Sequence, residues 1–441
     1  MKNIVVLGAG FGGLKAALKL EEKLKTLASS SDKASESKED WSVILIDKNS
    51  YHTYTAALYE AASAYRWRGM ASMSPYGGSP EGRQKFEETL AEYVCLPINQ
   101  IISNKNITFV QDSVSGVDFW NNEVKLENGD SVRYEYLVFA LGSETVYFDI
   151  KGAEKCCYTL KTLEDAFSIR RRIEKVFSNA VKGNPIKIVI VGGGATGVET
   201  IAEIATYTRC LARDHKLNYA DVHISLLEAR DTILSSSPKL QRDKSIKRLE
   251  KLGVEILTNT RVQEVMSECV LFEDGEKCDA DIVLWSGGIK GPALLSAKGG
   301  KMKGLELNDE GFIVVDKFLQ AKGLRKVFAI GDNAAFIDEA TGSRTPATAF
   351  IAEQQADAVS ENIMRISTGQ PLAEYKARTP GYVISCGGKY AVAYLFGLTF
   401  SGFFGWCVKK LIDLKYFLSL FSFREALLLW LRELRLFTKN D

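Results

Sequence analysis

The stretch "IVVLGAGFGG", Ile4 to Gly13, decides the fold, and the chain writes it nearly again as "IVIVGGGATG", Ile188 to Gly197. "NIVVL" and "KIVIV" are short β-branched runs of the kind that form buried parallel strands. Each glycine loop leads into sequence with helical periodicity, "LKAALKLEEKLK" and "VETIAEIATYTRCLA". Gly8, Gly10 and Gly13, and again Gly192, Gly194 and Gly197, fill G-x-G-x-x-G. In a strand, turn and helix unit the first glycine permits the tight turn. The second lets a pyrophosphate approach the backbone, and the third brings helix against strand, so that the phosphates lie on a helix N-terminus. One such loop is a weak signal because incidental turns reproduce it; two in one chain are a strong one.

Such a unit needs an acid at the end of its second strand, where a carboxylate can accept hydrogen bonds from both ribose hydroxyls. "WSVILIDK" ends in Asp47 and "VHISLLEAR" in Glu228. Asp47 follows Gly13 by 34 residues, more than the usual spacing, and the polar, Ser-rich segment "TLASSSDKASESKED" accounts for the excess as a surface loop. A solvated strand-end acid is the bland reading of either residue alone, and the pair weighs against it.

Composition bounds the rest. With 441 residues there is room for two or three domains, and 46% apolar residues suffice for buried cores. A net charge of +1, from 56 basic and 55 acidic residues, excludes an overall field toward nucleic acid. The eight cysteines show no C-x-x-C pair and no metal-ligand spacing, and the three histidines are scattered. Reduced thiols and no metal site are expected. After "MKN" the chain enters a strand and glycine loop directly, which leaves no room for a signal peptide and predicts the cytoplasmic side.

"KVFAIGDNAA" is a strand ending in Gly331 and Asp332. With "YLVFALGS" and the two glycine loops it resembles the two-dinucleotide-binding flavoprotein pattern. Within that superfamily "IDKNSYHTYTAALYEAAS", "YTLKTLEDAFSIRRRIE", "GGGATGVETIAEI" and "ADIVLWSGGI" are similar to type II NADH dehydrogenases, single-subunit NADH:quinone oxidoreductases. The resemblance covers nearly the whole chain except the 26–40 loop and a Gly/Ser/Pro-bearing insert around 66–90. It implies FAD in the N-terminal loop, with Gly8, Gly10, Phe11, Gly12, Gly13, Asp47, Lys48, Ala140, Gly142, Gly331, Asp332 and Ala349 as binding residues. Asp332 would hydrogen-bond the ribityl chain. NADH would take the second loop, with Gly192, Gly194, Gly197, Glu199, Glu228, Gly287 and Gly288. Glu199 matches the family's glutamate near nicotinamide and flavin; a helix first-turn acid favoured by the dipole is its bland reading.

Further expectations follow from that resemblance. Hydride passes from NADH to the flavin, and two electrons then reach a quinone. Glu228 favours a 2′-hydroxyl over a 2′-phosphate, a choice Arg230 could soften. The family's A-Q-x-A-x-Q-Q helix motif reads Ala349, Phe350, Ile351, Ala352, Glu353, Gln354, Gln355 here. Phe350 cannot hydrogen-bond a quinone carbonyl but can stack on the ring, and Phe350 and Gln354 are the candidate quinone contacts. A sulfide:quinone oxidoreductase shares fold and membrane tail but needs cysteines beside the flavin, with Cys156, Cys157 and Cys386 the supply. A disulfide reductase would need a redox pair, which is absent. A flavin-bearing NADH-sensing interaction protein is the alternative from another class.

The last forty residues pack Phe, Trp and Leu around Lys and Arg, with seven basic and four acidic residues in 401–441. A helix from Leu427 would put Leu427, Trp430, Leu431, Leu434 and Phe437 on one side and Arg424, Arg432 and Arg435 on another, as at a membrane surface. An ordinary core or dimer helix pair is the bland reading, and a homodimer would itself be compatible with docking. Tyr390–Val408 lacks charge over 19 residues, yet holds Gly397, Gly402 and Gly405, and "YAVAYL" resembles the family's final strand. No convincing span means no route for proton pumping. The expected fold class is α/β, with two Rossmann-like domains and a C-terminal amphipathic helical membrane-docking segment. An FAD domain (1–155 and 290–375) carries an inserted NAD domain (156–289), and 376–441 docks on the membrane.

Overall fold

The computed structural model describes residues 2–30, 40–65, 80–296, 302–378 and 381–437. Most of the 26–40 loop and the 66–79 part of the second insert therefore lie outside the described residues. In chain order the main helices are α1 (Phe11–Ser30), α2 (Leu58–Ser63), α3 (Pro80–Val94), α4 (Leu163–Ser178), α5 (Ala195–Asp214), α6 (Lys239–Lys251), α7 (Ala349–Ser367), α8 (Phe403–Leu420) and α9 (Phe423–Phe437). The strands used below are β1 (Lys2–Leu7), β2 (Trp41–Asp47), β3 (Ile107–Gln111), β4 (Tyr136–Phe139), β5 (Ile186–Val191), β6 (Val222–Leu227), β7 (Val254–Leu257), β8 (Ile282–Trp285), β9 (Val327–Ala329), β10 (Gly381–Ser385), β11 (Ala391–Leu395) and β12 (Leu398–Gly402). The chain forms two compact units, one of residues 1–52, 96–144 and 289–379, the other of 53–95, 145–288 and 380–441.

The first unit is built on a parallel sheet in the order β9-β4-β1-β2-β3. Its central strand explains the apolar run at the start of the sequence. Ile4, Val5, Val6 and Leu7 are all fully buried, because helices cover both faces of a parallel sheet. Each such side chain contributes roughly 1.5–3 kcal/mol by leaving water. Val5, Leu7, Phe139, Val327 and Ala329 pack into one core. On the other side α1 and α7 lie together, joined by the Lys23–Glu361 ion pair at 2.7 Å.

The second unit repeats the plan with a parallel sheet in the order β7-β6-β5-β8. Val189, Val191, Leu227, Val283 and Trp285 form its core. Helix α4 starts on a reciprocal cap, Thr162 accepting from the Asp165 N–H while Asp165 accepts from the Thr162 N–H. The unit also contains the C-terminal segment. β10, β11 and β12 form an antiparallel meander whose second hairpin turns through Phe396 and Gly397, both at positive φ. "YAVAYL" is therefore strand, as the sequence suggests. The uncharged stretch is two strands and the start of α8, and among the described residues no helix is long and apolar enough to cross a membrane.

The tail differs from the expected helix in one respect. α9 begins on a Ser422/Glu425 capping box, and Arg424, Arg432 and Arg435 are exposed as read. Its buried face, however, carries Ala426, Glu433, Leu436 and Phe437, while Leu428 and Leu431 face outward. Leu436 and Phe437 pack against Phe86 and Leu90 of α3 and Phe167 of α4. The expected apolar side is thus shared between a core and a surface, because α9 is anchored at its end and at a buried glutamate.

Candidate nucleotide sites and a buried carboxylate

The first loop joins β1 to α1. Gly8 sits at φ 97, and a Cβ there would overlap the Ala140 carbonyl oxygen; a Cβ on Gly13 would overlap the Gly8 carbonyl. Only glycine meets both demands without strain. No described atom lies within 4 Å of where a Cβ on Gly10 would stand, which fits a pyrophosphate passing the backbone there. Asp47 closes the loop from the end of β2, with Oδ2 accepting from the Ala9 N–H at 2.7 Å and Oδ1 from the Asn49 N–H at 2.8 Å. Lys48 beside it is exposed. Gly12 packs on Ala352 of α7.

His52 has a part the sequence did not announce. Fully buried, it donates from Nδ1 to the Ala9 carbonyl at 2.8 Å, with its ring edge-on to Phe11 at 5.0 Å. Burial pushes its pKa down to about 4, so the neutral ring holds the loop near neutrality.

The second loop repeats this geometry. Gly192 sits at φ 107 with its missing Cβ against the Ser286 carbonyl, and Gly197 lies against the Gly192 carbonyl. Gly194 is the N-cap of α5 and supplies no side-chain oxygen to the first-turn N–H groups. Glu228, just past β6, accepts from the Gly193 N–H at 2.7 Å and the Arg230 N–H at 2.9 Å. Arg230 is itself turned to Ser235 Oγ at 2.6 Å. Gly287 lies against the Trp285 ring, and Gly288 against Val146 and Phe148.

The remaining flavin candidates fall in the first unit. Asp332 accepts from the Ser143 hydroxyl at 3.0 Å, and Gly142 donates to the buried Asn333 Oδ1 at 3.2 Å. Ala349 opens α7 beside the Thr348 cap. Gln355 is fully buried; its Oε1 accepts from the Gly331 N–H at 2.6 Å, while its Nε2 has no partner. An orphaned donor and a glycine-lined cradle both fit a polar ring system bound against this loop. Of the quinone candidates, Phe350 is 39% exposed and open to stacking. Gln354 is committed elsewhere, its amide bonded at both ends to the Arg378 backbone at 2.6 and 3.1 Å.

Glu199 is the chemically distinctive residue of the second unit. It lies one turn into α5, half-buried, accepting from the Ser385 N–H at 3.1 Å. Burial raises its pKa to about 7, with the Lys409 charge working against that rise. Tyr59 donates to Ser385 Oγ at 3.0 Å and lies under the Lys409 ammonium, 5.7 Å from its ring centre. Behind these stand Glu60, Lys410, Asp413 and Glu433, all buried. Sequence reading passed over this group. The available signal was "KK" at 409–410 with Asp413 on a largely apolar helix, and Glu60 inside "AALYEAAS".

None of the eight cysteines, all of them described, is paired in a disulfide. Burial pushes both Cys157 and Cys386 up to about 12, far from the thiolate that sulfide chemistry requires.

Residues 2–356 match the pyridine nucleotide-disulphide oxidoreductase family, and the chain belongs to that family. Within it, the chain is similar to a type II NADH:quinone oxidoreductase of Staphylococcus aureus (strain NCTC 8325 / PS 47), 28% identical over 421 residues. The alignment covers 93% of this chain and 94% of the relative. The resemblance carried by the sequence motifs is therefore borne out over nearly the full length. The fold is shared with the NDH2 of Plasmodium falciparum in complex with NADH (TM-score 0.77, 18% identity, 99% of each chain). It is shared also with the sulfide:quinone oxidoreductase of Aquifex aeolicus (TM-score 0.73, 18% identity, 97% of this chain and 92% of that one). The expected α/β flavoprotein class with C-terminal helices stands.

Proposed function

We propose that the protein is a non-proton-pumping NADH:quinone oxidoreductase. The doubled loop, each copy with its strand-end carboxylate accepting from a backbone N–H of the loop, carries the reading. FAD held by the first loop would supply the redox chemistry between NADH and a quinone. The chain's residues do the rest. The first loop, with Asp47, Asp332 and Gln355, holds and orients FAD. The second loop holds NADH, and Glu228 repels a 2′-phosphate. Glu199, with its pKa near neutrality, is placed to hold a proton at the nicotinamide. Against the rival sulfide chemistry, burial keeps Cys157 and Cys386 protonated, and the intact second loop favours NADH.

The reading extends to the membrane. Eleven of the nineteen exposed large apolar residues among those described fall between Phe396 and Leu431. Phe396 is 85% and Phe404 75% exposed, and Phe396 holds a left-handed backbone at a hairpin tip, an uncommon state for a bulky residue. Exposed apolar residues concentrated in this way mark a membrane or protein contact. Peripheral docking on the cytoplasmic face through this segment follows, with FAD domain 1–155 and 290–375, NAD domain 156–289 and docking segment 376–441. The deciding experiment is spectroscopic. The purified protein should be yellow, bleach anaerobically with NADH and oxidise NADH with a short-chain quinone. A colourless protein that takes up no flavin on reconstitution overturns the reading.

A further inference from the structure

The second unit buries more negative than positive charge. Lys410 Nζ lies 2.9 Å from Glu60 Oε1, 2.8 Å from Glu433 Oε1 and 3.4 Å from Asp413 Oδ2. Lys409 Nζ lies 3.2 Å from Asp413 Oδ2, and the Tyr54 hydroxyl donates to Asp413 Oδ1 at 2.6 Å. Lys410, Asp413 and Glu433 are each 2% exposed. Three buried carboxylates thus face two ammonium groups, and half-buried Glu199 makes a fourth. An uncompensated buried carboxylate is expensive and relieves itself by taking up a proton. The orphan atoms point to where: Glu60 Oε2 and Glu433 Oε2 are both buried without a partner, while their Oε1 atoms share one ammonium.

We propose that Glu60, Lys410 and Glu433 form a proton-holding site, with the excess proton on the Glu433 carboxyl, and that it supplies the one solution proton consumed per turnover. The second half rests on the NADH:quinone reading; the first does not. The balance is NADH plus quinone plus one proton giving NAD⁺ and hydroquinone. NADH provides a hydride, so one further proton must enter. Glu433 releases it and is reprotonated from water. From Glu433 a run of contacts no longer than 3.4 Å passes through Lys410 and Asp413 to Lys409, whose charge acts on Glu199.

The groups facing Glu433 agree with this from every side. On α8 they are Lys409, Lys410 and Asp413, and on α2 Glu60; Tyr54 lies beyond Asp413, and on α9 Trp430 donates to the Lys410 carbonyl at 2.7 Å. Burial raises Glu433 to about 7, against the pull of Lys410. Asp413, although burial pushes it up, is held below the usual carboxylate range by Lys409 and Lys410. Both lysines stay charged, because the surrounding carboxylates outweigh burial.

The test is an infrared pH titration of the full-length, oxidised protein with its flavin and no NADH, following the carbonyl band of protonated carboxylic acids. Wild type should show two titrating carboxyls near neutrality, Glu433 and Glu199. Glu433→Gln should lose one and Glu199→Gln the other. A folded Glu433→Gln protein with the wild-type titration overturns the proposal. If that variant does not fold, Glu60→Gln is judged by the same criterion, because one remaining carboxylate balances Lys410 and needs no proton. For the second half, Glu433→Gln should leave anaerobic bleaching by NADH unchanged and lower quinone turnover about tenfold at pH 6, where the Glu433 carboxyl carries its proton, with less effect at pH 8, where it is already largely ionised. An equal loss at both pH values overturns that half. A wild-type protein inert toward NADH would strike the functional reading while leaving the titration to judge the proton site.

Discussion

The two glycine loops are the same device at different lengths. Asp47 reaches the loop backbone at Ala9, whereas Glu228, one methylene longer, reaches it at Gly193, each at 2.7 Å. A Cβ on Gly193 would stand 3.0 Å from Glu228 Oε2 and 2.6 Å from an Ile233 methyl. The longer acid therefore goes with the smaller loop residue. The helices differ more. Two residues beyond the third glycine α1 carries Lys15, paired loosely with Asp357 at 3.7 Å, and α5 carries Glu199, half-buried and raised to about 7. At this position one copy of the scaffold carries a partly exposed lysine and the other an acid beside a buried ionic group, so one supplies binding alone and the other binding with a titrating acid.

The harshest way to break the parallel is at the first glycines. Gly8→Ala and Gly192→Ala each force a side chain into a left-handed backbone, at about 1–3 kcal/mol, and into a carbonyl, at about as much again. Gly8→Ala should purify without yellow colour. Gly192→Ala should stay yellow yet fail to bleach with NADH, as visible absorbance will show; ordinary bleaching would mean that the two loops do not divide the nucleotides.

Glu199→Gln tests the asymmetry between the helices. Turnover with NADH and a soluble acceptor should drop about 100-fold, and the dependence of rate on pH near 7 due to this group should vanish. Stability gives an independent sign. The folded protein takes up a proton on Glu199 between its unfolded value of 4.5 and about 7, so this contribution is present at low pH and lost as pH rises through that window. Thermal unfolding at pH 5 and pH 8 should show a smaller difference in the variant, and an unchanged difference would mean that Glu199 is ionised throughout.

Glu228→Gln sharpens the parallel between the acids. Relative preference for NADH over NADPH should shift by about 1–3 kcal/mol toward NADPH, read as the ratio of the two kcat/KM values. Parallel movement of both would leave selection to Arg230. The smallest effect belongs to Lys15→Gln, which breaks only an exposed ion pair and should change unfolding by less than about 0.5 kcal/mol, with activity intact. A large loss there would give α1 a chemical part it does not show.

The nucleotide scaffold was legible because its signals are local. Strand, glycine turn, helix and strand-end acid lie close along the chain, and the first and third glycines of each loop are demanded by a backbone clash within their own unit. The tail was legible only in part. Its Phe, Leu and Arg content identifies an amphipathic helix, but composition does not say that Leu436 and Phe437 meet Phe86 or that Glu433 faces inward.

By itself the sequence determined that two dinucleotide loops exist, which strands precede them and which carboxylates close them, because hydrogen bonding and sterics over a few residues leave little choice. Tertiary structure alone decided where charge is buried. Glu60, Lys410 and Glu433 are separated in the chain and each alone reads as a solvated residue, while Glu199, singled out by resemblance, showed nothing of its burial beside them. Their pKa values depend on which partners share a water-poor interior, and Coulomb energy and desolvation there are fixed by distances between elements. The same folding turned His52 from one of three scattered histidines into the buried donor that holds the first loop.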